Sequence, residues 1–126
     1  MHFYIGGAYQ GKLDLAKRKF DLTENDIFTC TEEVCSIDFD KRCIDHVEEF
    51  VLCCVRNHMD ATEYFQTNSE KWKNSIIICA DIFCGVVPLG ADLRAWRDMT
   101  GRLSAFLSNE AESVTRVFCG LEQCLK

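Results

Sequence analysis

The chain has 126 residues, of which 48% are apolar and 27% charged, and its formal net charge is -6. This length suits one compact domain, residues 1–126, and excludes two complete enzyme domains, while the composition excludes a disordered protein. The acidic balance, with no basic run to offset it, argues against a nucleic-acid partner.

The first half of the chain begins with a short apolar strand, predicted over residues 2–5. A glycine turn follows, and then a helix over about residues 12–20. A second strand is predicted over residues 26–30. Between about residues 40 and 57, Ile44, Val47, Val51 and Val55 recur at helical spacing, so one helix is predicted there. The polar residues 60–72 predict a short helix and a connection.

The second half contains the clearest strand, residues 75–80, which is rich in β-branched side chains and apolar on both faces. Such strands are usually central and parallel. After a loop with the only proline, Pro88, a helix is predicted over about residues 92–109 and a strand over 114–119, ended by Gly120. Strands that alternate with helices predict an α/β fold, with a mostly parallel central sheet flanked by helices.

The turn after the first strand matches the G-x-x-x-x-G-K pattern of a phosphate-binding loop. Its residues are Gly6, Gly7, Ala8, Tyr9, Gln10, Gly11 and Lys12. Glycines let consecutive backbone N–H groups face a phosphate, and the following helix adds the positive end of its dipole. The lysine then reaches the terminal phosphates as a point charge. The alternative interpretation is a glycine-rich strand-to-helix turn with an exposed lysine.

Two positions bear on Mg²⁺ at this loop. Leu13 follows Lys12 where the pattern has Ser or Thr, and leucine offers no oxygen to the metal. Phosphate binding can survive this change, whereas we expect metal-assisted phosphoryl transfer to be less efficient. Asp81 directly follows the strand at 75–80, at the end of the sheet where α/β proteins bind ligands. We expect Asp81 to orient Mg²⁺ or its water; a structural loop cap is the equal alternative.

Nine cysteines raise the question of compartment and redox state. No apolar stretch is long enough to cross a bilayer and the N-terminus does not resemble a signal peptide, so we expect a cytoplasmic protein without a membrane partner. Disulfides are then less favoured, and no C-x-x-C spacing points to zinc. We expect the cysteines to act as small apolar side chains in the core, with metal or redox chemistry as the alternative.

The C-terminal half carries further motifs in a fixed order. They are SIIICADIFCGVVP over residues 75–88, RAWRD over 94–98 with GR at 101–102, and VTRVFCGL over 114–121 before a final LK. With the glycine loop near the N-terminus, this order resembles the bifunctional adenosylcobinamide kinase / adenosylcobinamide-phosphate guanylyltransferase family of cobalamin synthesis. The resemblance covers about residues 2–20 and 74–126.

This resemblance implies a RecA-like P-loop NTPase fold, GTP or ATP with Mg²⁺ as cofactors, and phosphorylation of a cobinamide. It also implies a homotrimer and transfer of GMP from GTP through a guanylated histidine. Family members are longer than this chain. His46, in Arg42-x-x-x-His46, is the candidate for that histidine, although on the predicted helix it would face solvent or a neighbour. The kinase step is therefore favoured over guanylyl transfer, and the alternative is a nucleotide-binding or regulatory protein without turnover.

The predicted helix over 92–109 offers two further binding residues. Arg94 and Arg97 lie to one side of its apolar stripe, one turn apart. We expect them to hold a triphosphate or to contact a neighbouring subunit. The alternative is an exposed helix face with surface ion pairs.

Overall fold

The computed structural model describes residues 1–82 and 90–126, so the predicted loop around Pro88 lies outside the described residues. Strands and helices alternate along most of the chain. The strands are β1 His2–Gly6, β2 Ile27–Thr29, β3 Cys43–Asp45, β4 Ile76–Ala80, β5 Ser113–Phe118 and β6 Leu121–Cys124. The helices are α1 Lys12–Phe20, α2 Val47–Arg56, α3 Ala61–Thr67 and α4 Ala91–Glu110. Single 3-10 turns lie at Glu24–Asp26 and Ser69–Lys71.

The six strands form one sheet in the order β2-β3-β4-β1-β5-β6. Every neighbouring pair is parallel except β5 and β6, which are antiparallel. β4 pairs with β1 on one side and β3 on the other, as expected for the strand that is apolar on both faces. The predicted α/β fold with a mostly parallel central sheet is confirmed.

Helices cover both faces of the sheet, which explains why its central strands are apolar throughout. Phe3 and Ile77 belong to the core cluster that includes residues of α2, α3 and α4. Tyr4 and Ile78, the next residue in each strand, belong to a second cluster with Ala16 of α1. None of the described helices is long and apolar enough to cross a membrane.

The single helix predicted over residues 40–57 is wrong in its first part. Cys43–Asp45 form β3, which pairs in parallel with both β2 and β4, and α2 starts only at Val47. His46 separates the two elements with a left-handed backbone, φ 56°. The helical spacing gave a wrong prediction because Ile44 and Val47 are both buried, although Ile44 belongs to the strand and Val47 to the helix. A strand of three residues is too short to show a period of its own.

The C-terminal strand β6 was not predicted. Its four side chains are all exposed, so no alternation of apolar and polar residues signals it. It is reached by a two-residue turn in which Cys119 and Gly120 both have positive φ, 52° and 75°. This conformation suits the twist of a tight hairpin. Gly120 ends β5 as predicted and also turns the chain back.

The expectation that the cysteines fill the core is confirmed for the four buried free thiols, Cys30, Cys43, Cys54 and Cys79. Cys53 is buried as well, but it forms a disulfide with half-buried Cys35 because the β2–β3 connection folds back onto α2, so the expectation against disulfides is wrong here. The expectation of core packing is wrong for Cys119 and Cys124, which are exposed in the C-terminal hairpin. Cys84 lies outside the described residues.

Candidate functional site

The glycine loop joins the carboxyl end of β1 to the start of α1, and two glycines in it are sterically required. A Cβ at Gly6 would lie 2.3 Å from the Val117 carbonyl oxygen, so only glycine lets β1 end this close to β5. Gly11 directly precedes α1 with φ 89°, a left-handed conformation that glycine adopts without strain. The predicted helix over residues 12–20 begins and ends as expected.

Gln10 fastens the loop to the β5–β6 turn, a contact that the sequence does not reveal. Its side-chain oxygen accepts a hydrogen bond from the Cys119 N–H at 2.6 Å. Its carbonyl oxygen accepts another from the Gly120 N–H at 2.8 Å. Next to it, Tyr9 is fully exposed at the tip of the loop with φ 60°. One side of the loop is therefore anchored while its tip reaches into solvent.

Lys12 lies at the first position of α1 and turns back across the loop. Its Nζ donates a hydrogen bond to the Gly7 carbonyl oxygen at 2.6 Å. Lys12 also lines the cleft in front of the loop, and in a loop of this pattern the lysine reaches the phosphates. Leu13 packs partly against the core cluster beneath α1, consistent with a side chain that serves packing rather than metal binding.

A cleft of about 610 Å³ opens in front of this loop, and residues 8–14 form one wall. This volume is within the range of small-molecule sites. The rest of its described lining comes from β3, α2, the end of β4, and α4. These residues are Asp45, His46, Glu48, Glu49, Ala80, Ile82 and Trp96. The fold therefore brings His46 into the same cleft as Lys12.

His46 is the residue before α2 and not a residue within a helix, so its predicted helical neighbourhood with Arg42 is wrong. Arg42 instead donates to Asp26 and to the Phe20 carbonyl oxygen. The imidazole is 54% exposed, as expected from the sequence, and its Nδ1 lies 2.9 Å from a Glu48 carboxylate oxygen. Its Nε2 lies 3.7 Å from Asp45.

Glu48 connects the elements that form this wall, although its side chain is only 6% exposed. One carboxylate oxygen accepts a hydrogen bond from the Ala80 N–H at 2.8 Å, and the other contacts His46. The Glu48 carbonyl oxygen accepts a hydrogen bond from the Trp96 indole at 2.7 Å. Glu48 belongs to α2 and is bonded to both β4 and α4. It therefore has little freedom to move.

The ionisable groups of this wall perturb one another. Burial raises the pKa of Asp45, whose carboxylate also accepts a hydrogen bond from the His46 N–H at 2.8 Å. Burial by itself would lower the pKa of His46, but the Glu48 hydrogen bond and the Asp45 charge outweigh it and raise that pKa. Burial, followed by the nearby Glu48 charge, raises the pKa of Glu49. Perturbed titratable groups in a cleft are typical of functional sites.

Sequence reasoning missed Asp45 and Glu48 because both fell within a segment interpreted as one amphipathic helix. The available signal was an acid directly after two apolar residues, Cys43 and Ile44, which is the pattern of a strand end. For Glu48 there was no signal. Its contacts with Ala80 and Trp96 join residues that lie 32 and 48 positions away in the chain.

The remaining candidates, Asp81, Arg94 and Arg97, are not among the residues that line the cleft, although each is next in sequence to one that does or within two residues of it. Asp81 follows β4 as predicted, and its N–H donates to the Gly6 carbonyl oxygen at 2.7 Å, next to the start of the loop. Its neighbours Ala80 and Ile82 line the cleft. Arg94 is exposed on the first turn of α4, and Arg97 is half-buried beside Trp96. The roles assigned to Asp81, Arg94 and Arg97 stay predictions.

Two further observations concern metals and relatives. Within residues 1–82 and 90–126, no group of three or more His, Cys, Asp or Glu side chains is arranged to hold a metal ion. Comparison of the sequence with protein-family models and with curated proteins finds no match.

Proposed function

We propose that this protein is a RecA-like P-loop protein that binds GTP or ATP and transfers the terminal phosphoryl group to an alcohol, as cobinamide kinases do. The observation that supports this most is the glycine loop between parallel strand β1 and helix α1, with Lys12 bonded to the Gly7 carbonyl oxygen and lining the cleft. The loop also lies at the carboxyl ends of β1, β4 and β5. In open α/β sheets, ligands bind in the crevice at that edge.

The phosphate chemistry follows from the loop's construction. Backbone N–H groups of a glycine-rich turn and the N-terminus of the nine-residue α1 favour an anion, and Lys12 adds a full positive charge. The cleft of about 610 Å³ in front of the loop leaves room for the rest of a nucleotide. Arg94 and Arg97 remain the candidates for further phosphate contacts from α4.

For Mg²⁺, the donor set fits a metal carried mainly by the nucleotide. Mg²⁺ in phosphoryl-transfer sites is bound by one or two carboxylates together with substrate phosphates. Asp81, whose backbone bonds to the start of the loop, is the carboxylate that we propose to orient the metal or its water. When bound, Mg²⁺ neutralises charge on the transferred phosphoryl group. Leu13 supplies no oxygen.

Of the two steps implied by the resemblance, phosphoryl transfer is favoured. Guanylyl transfer needs a histidine that forms a covalent bond to the nucleotide, whereas phosphoryl transfer to an alcohol needs no such nucleophile and so makes the smaller demand on this chain. We further propose a cobinamide as the acceptor, a homotrimer, and the cytoplasm as the compartment, where the Cys35–Cys53 disulfide would be an exception to the usual reduced state of thiols. Light scattering on the purified chain tests the trimer.

The alternative is a nucleotide-binding or regulatory protein without turnover. One observation favours it: Leu13, which packs against the core, stands where an efficient phosphate loop holds Mg²⁺ with a hydroxyl. A multiple-turnover assay with GTP or ATP and cobinamide separates the two proposals, because the regulatory protein would bind nucleotide and form no phosphorylated product.

Calorimetric titration with GTP and with ATP, with and without Mg²⁺, tests the nucleotide site directly. We expect Lys12→Ala to weaken binding by about tenfold or more, because a charge-assisted phosphate contact contributes about 1.5–3 kcal/mol. Lys17→Ala is the matched control, since Lys17 lies on the same helix but pairs with Glu24. Absence of binding at millimolar nucleotide would contradict the proposal.

A further inference from the structure

His46 lies where two cavities meet. The first is the cleft in front of the glycine loop, about 610 Å³ in volume. The second, about 390 Å³, lies between α2 and the start of the β2–β3 connection. His46 and Glu49 line both. A group bound in the second cavity would therefore meet His46 on the way to the loop.

The imidazole is held in one orientation by the network around Glu48. Because a carboxylate only accepts, the 2.9 Å contact assigns the ring hydrogen of neutral His46 to Nδ1 and leaves the lone pair on Nε2. Glu48 is in turn fixed by the Ala80 N–H and the Trp96 indole. A base oriented by a buried carboxylate is the arrangement that activates hydroxyl groups in many enzymes.

The backbone of His46 also departs from the ordinary range. Its φ of 56° is uncommon for a residue other than glycine and is the kind of strain that proteins retain at functional positions. Here it turns the chain from β3 into α2 within a single residue, which brings the ring to the edge of the cleft. His58, in the turn after α2, has the same φ of 56° and serves as a matched control.

We propose that His46 is the general base of phosphoryl transfer, that Glu48 is its positioning residue, and that the acceptor is a neutral or cationic alcohol entering from the second cavity. This inference rests on the proposed function, since it specifies how the same cleft would use the nucleotide. It differs from a guanylated histidine because no bond to His46 forms.

The alcohol O–H breaks and its proton moves to Nε2 of His46, while the alcohol oxygen forms a bond to the γ-phosphorus. The bond from that phosphorus to the β,γ-bridging oxygen breaks, and the nucleoside diphosphate leaves with the electron pair. His46 then returns its proton to water, so the protein is unchanged.

The charge of the second cavity sets the acceptor class. Glu32, Glu33 and Glu49 line it, and Glu32 is paired with Arg56 at 3.4 Å. Two acidic side chains therefore remain to repel a phosphorylated or carboxylated acceptor and to attract an amine. The nucleotide's phosphates, by contrast, would lie beside Lys12 in the first cavity.

This assignment carries a pH dependence. Charged or titratable groups line the two cavities around His46 from the glycine loop, α1, β3, α2 and the β2–β3 connection: Tyr9, Lys12, Asp14, Cys30, Glu32, Glu33, Asp45, Glu48 and Glu49. The acidic groups outnumber Lys12, which agrees with the raised pKa of His46. Burial alone would lower that pKa, but the Glu48 hydrogen bond and the nearby carboxylates outweigh the effect of burial. The base works only when deprotonated, so the rate should rise with pH through a value above the usual 6.5 of histidine.

The test compares His46→Asn, Glu48→Gln and His58→Asn, using nucleotide labelled at the γ-phosphate and cobinamide as the acceptor probe. We expect His46→Asn to lower kcat about 100-fold or more with unchanged nucleotide affinity, and His58→Asn to leave kcat unchanged. Glu48→Gln should move the acidic limb of the pH profile to lower pH, a shift that a purely structural role would not produce.

Two results would overturn the inference while leaving the proposed phosphoryl transfer intact. They are a wild-type rate in His46→Asn and an unshifted pH profile in Glu48→Gln. Absence of nucleotide binding, absence of transfer to cobinamide, or stable labelling of His46 by GTP carrying label at the α-phosphate would instead contradict the proposed function itself. Thermal unfolding of each variant checks that it is folded.

Discussion

The two walls of the cleft are built differently. The loop wall consists mostly of backbone, and its charge comes from Lys12, which bonds to the loop's own Gly7 carbonyl. The opposite wall consists of side chains, with His46 and two acids, Asp45 and Glu48, joined by hydrogen bonds. The first suits an anion and the second suits proton transfer. The proposed function needs both walls, one to hold a phosphate and the other to act on the group that attacks it.

The difference predicts that the loop wall is most sensitive to changes that displace its backbone. Gly6→Ala should have the largest effect, because the new Cβ would lie 2.3 Å from the rigid Val117 carbonyl. We expect about 3 kcal/mol of lost stability and loss of nucleotide binding, measured by urea unfolding and calorimetry. Gly7→Ala is the control, since its nearest neighbour, the Gln10 side chain, is 3.6 Å away. Equal stability of the two variants would contradict this view of the wall.

The opposite wall is tied covalently through Cys53, which lies on α2 about two helical turns after His46. The disulfide to Cys35 closes a sequence separation of 18 residues. We expect Cys35→Ser to lower the free energy of unfolding by about 3 kcal/mol, and a reductant to have a similar effect on the wild-type protein. Cys124→Ser, at an exposed free thiol, should change little. Insensitivity of the wild-type protein to reductant would contradict the prediction.

The Gln10 side chain anchors the loop wall to the C-terminal hairpin. Removing this side chain should lower stability less than the two changes above. Gln10→Ala deletes the acceptor of the Cys119 N–H but keeps the backbone bond from Gly120. Because that donor is exposed to water, we expect a loss of about 1 kcal/mol in stability and a modest weakening of nucleotide binding. Gln66→Ala, an exposed glutamine on α3, is the control. A Gln10→Ala variant as stable as the wild-type protein would show that the contact with the hairpin is dispensable.

The smallest effect concerns the pH dependence of the opposite wall. Burial raises the pKa of Asp45, so the folded state binds its proton more tightly than the unfolded state does. This contribution to stability is fully present below the ordinary pKa of 3.8 and is lost as pH rises through the folded value. Asp45→Asn should flatten that decline in urea unfolding between pH 4 and neutral pH. Asp38→Asn, at an exposed loop, should leave the curve unchanged.

Much of the fold could be predicted from local patterns. The run Ile76–Cys79 is apolar on both faces, which required a central parallel strand, and the glycine loop marked the start of α1 to the residue. The β3–α2 region could not be predicted in the same way. Its strand has three residues, and its apolar side chains continue the helical period by coincidence. Only its pairing with β2 and β4 makes a strand of it.

The candidate site likewise has one part that local sequence patterns predict and one part that they do not. The order of residues around Lys12 was sufficient to predict a glycine loop between β1 and α1, because glycine freedom and a following helix are local properties. The contact of His46 with Glu48 depends on a sharp turn of the backbone, and the Gln10 contact depends on the distant C-terminal hairpin. The sequence by itself therefore determined the α/β class and the loop. The tertiary structure decided the opposite wall of the cleft and the disulfide, because both join residues that only the folded sheet brings together.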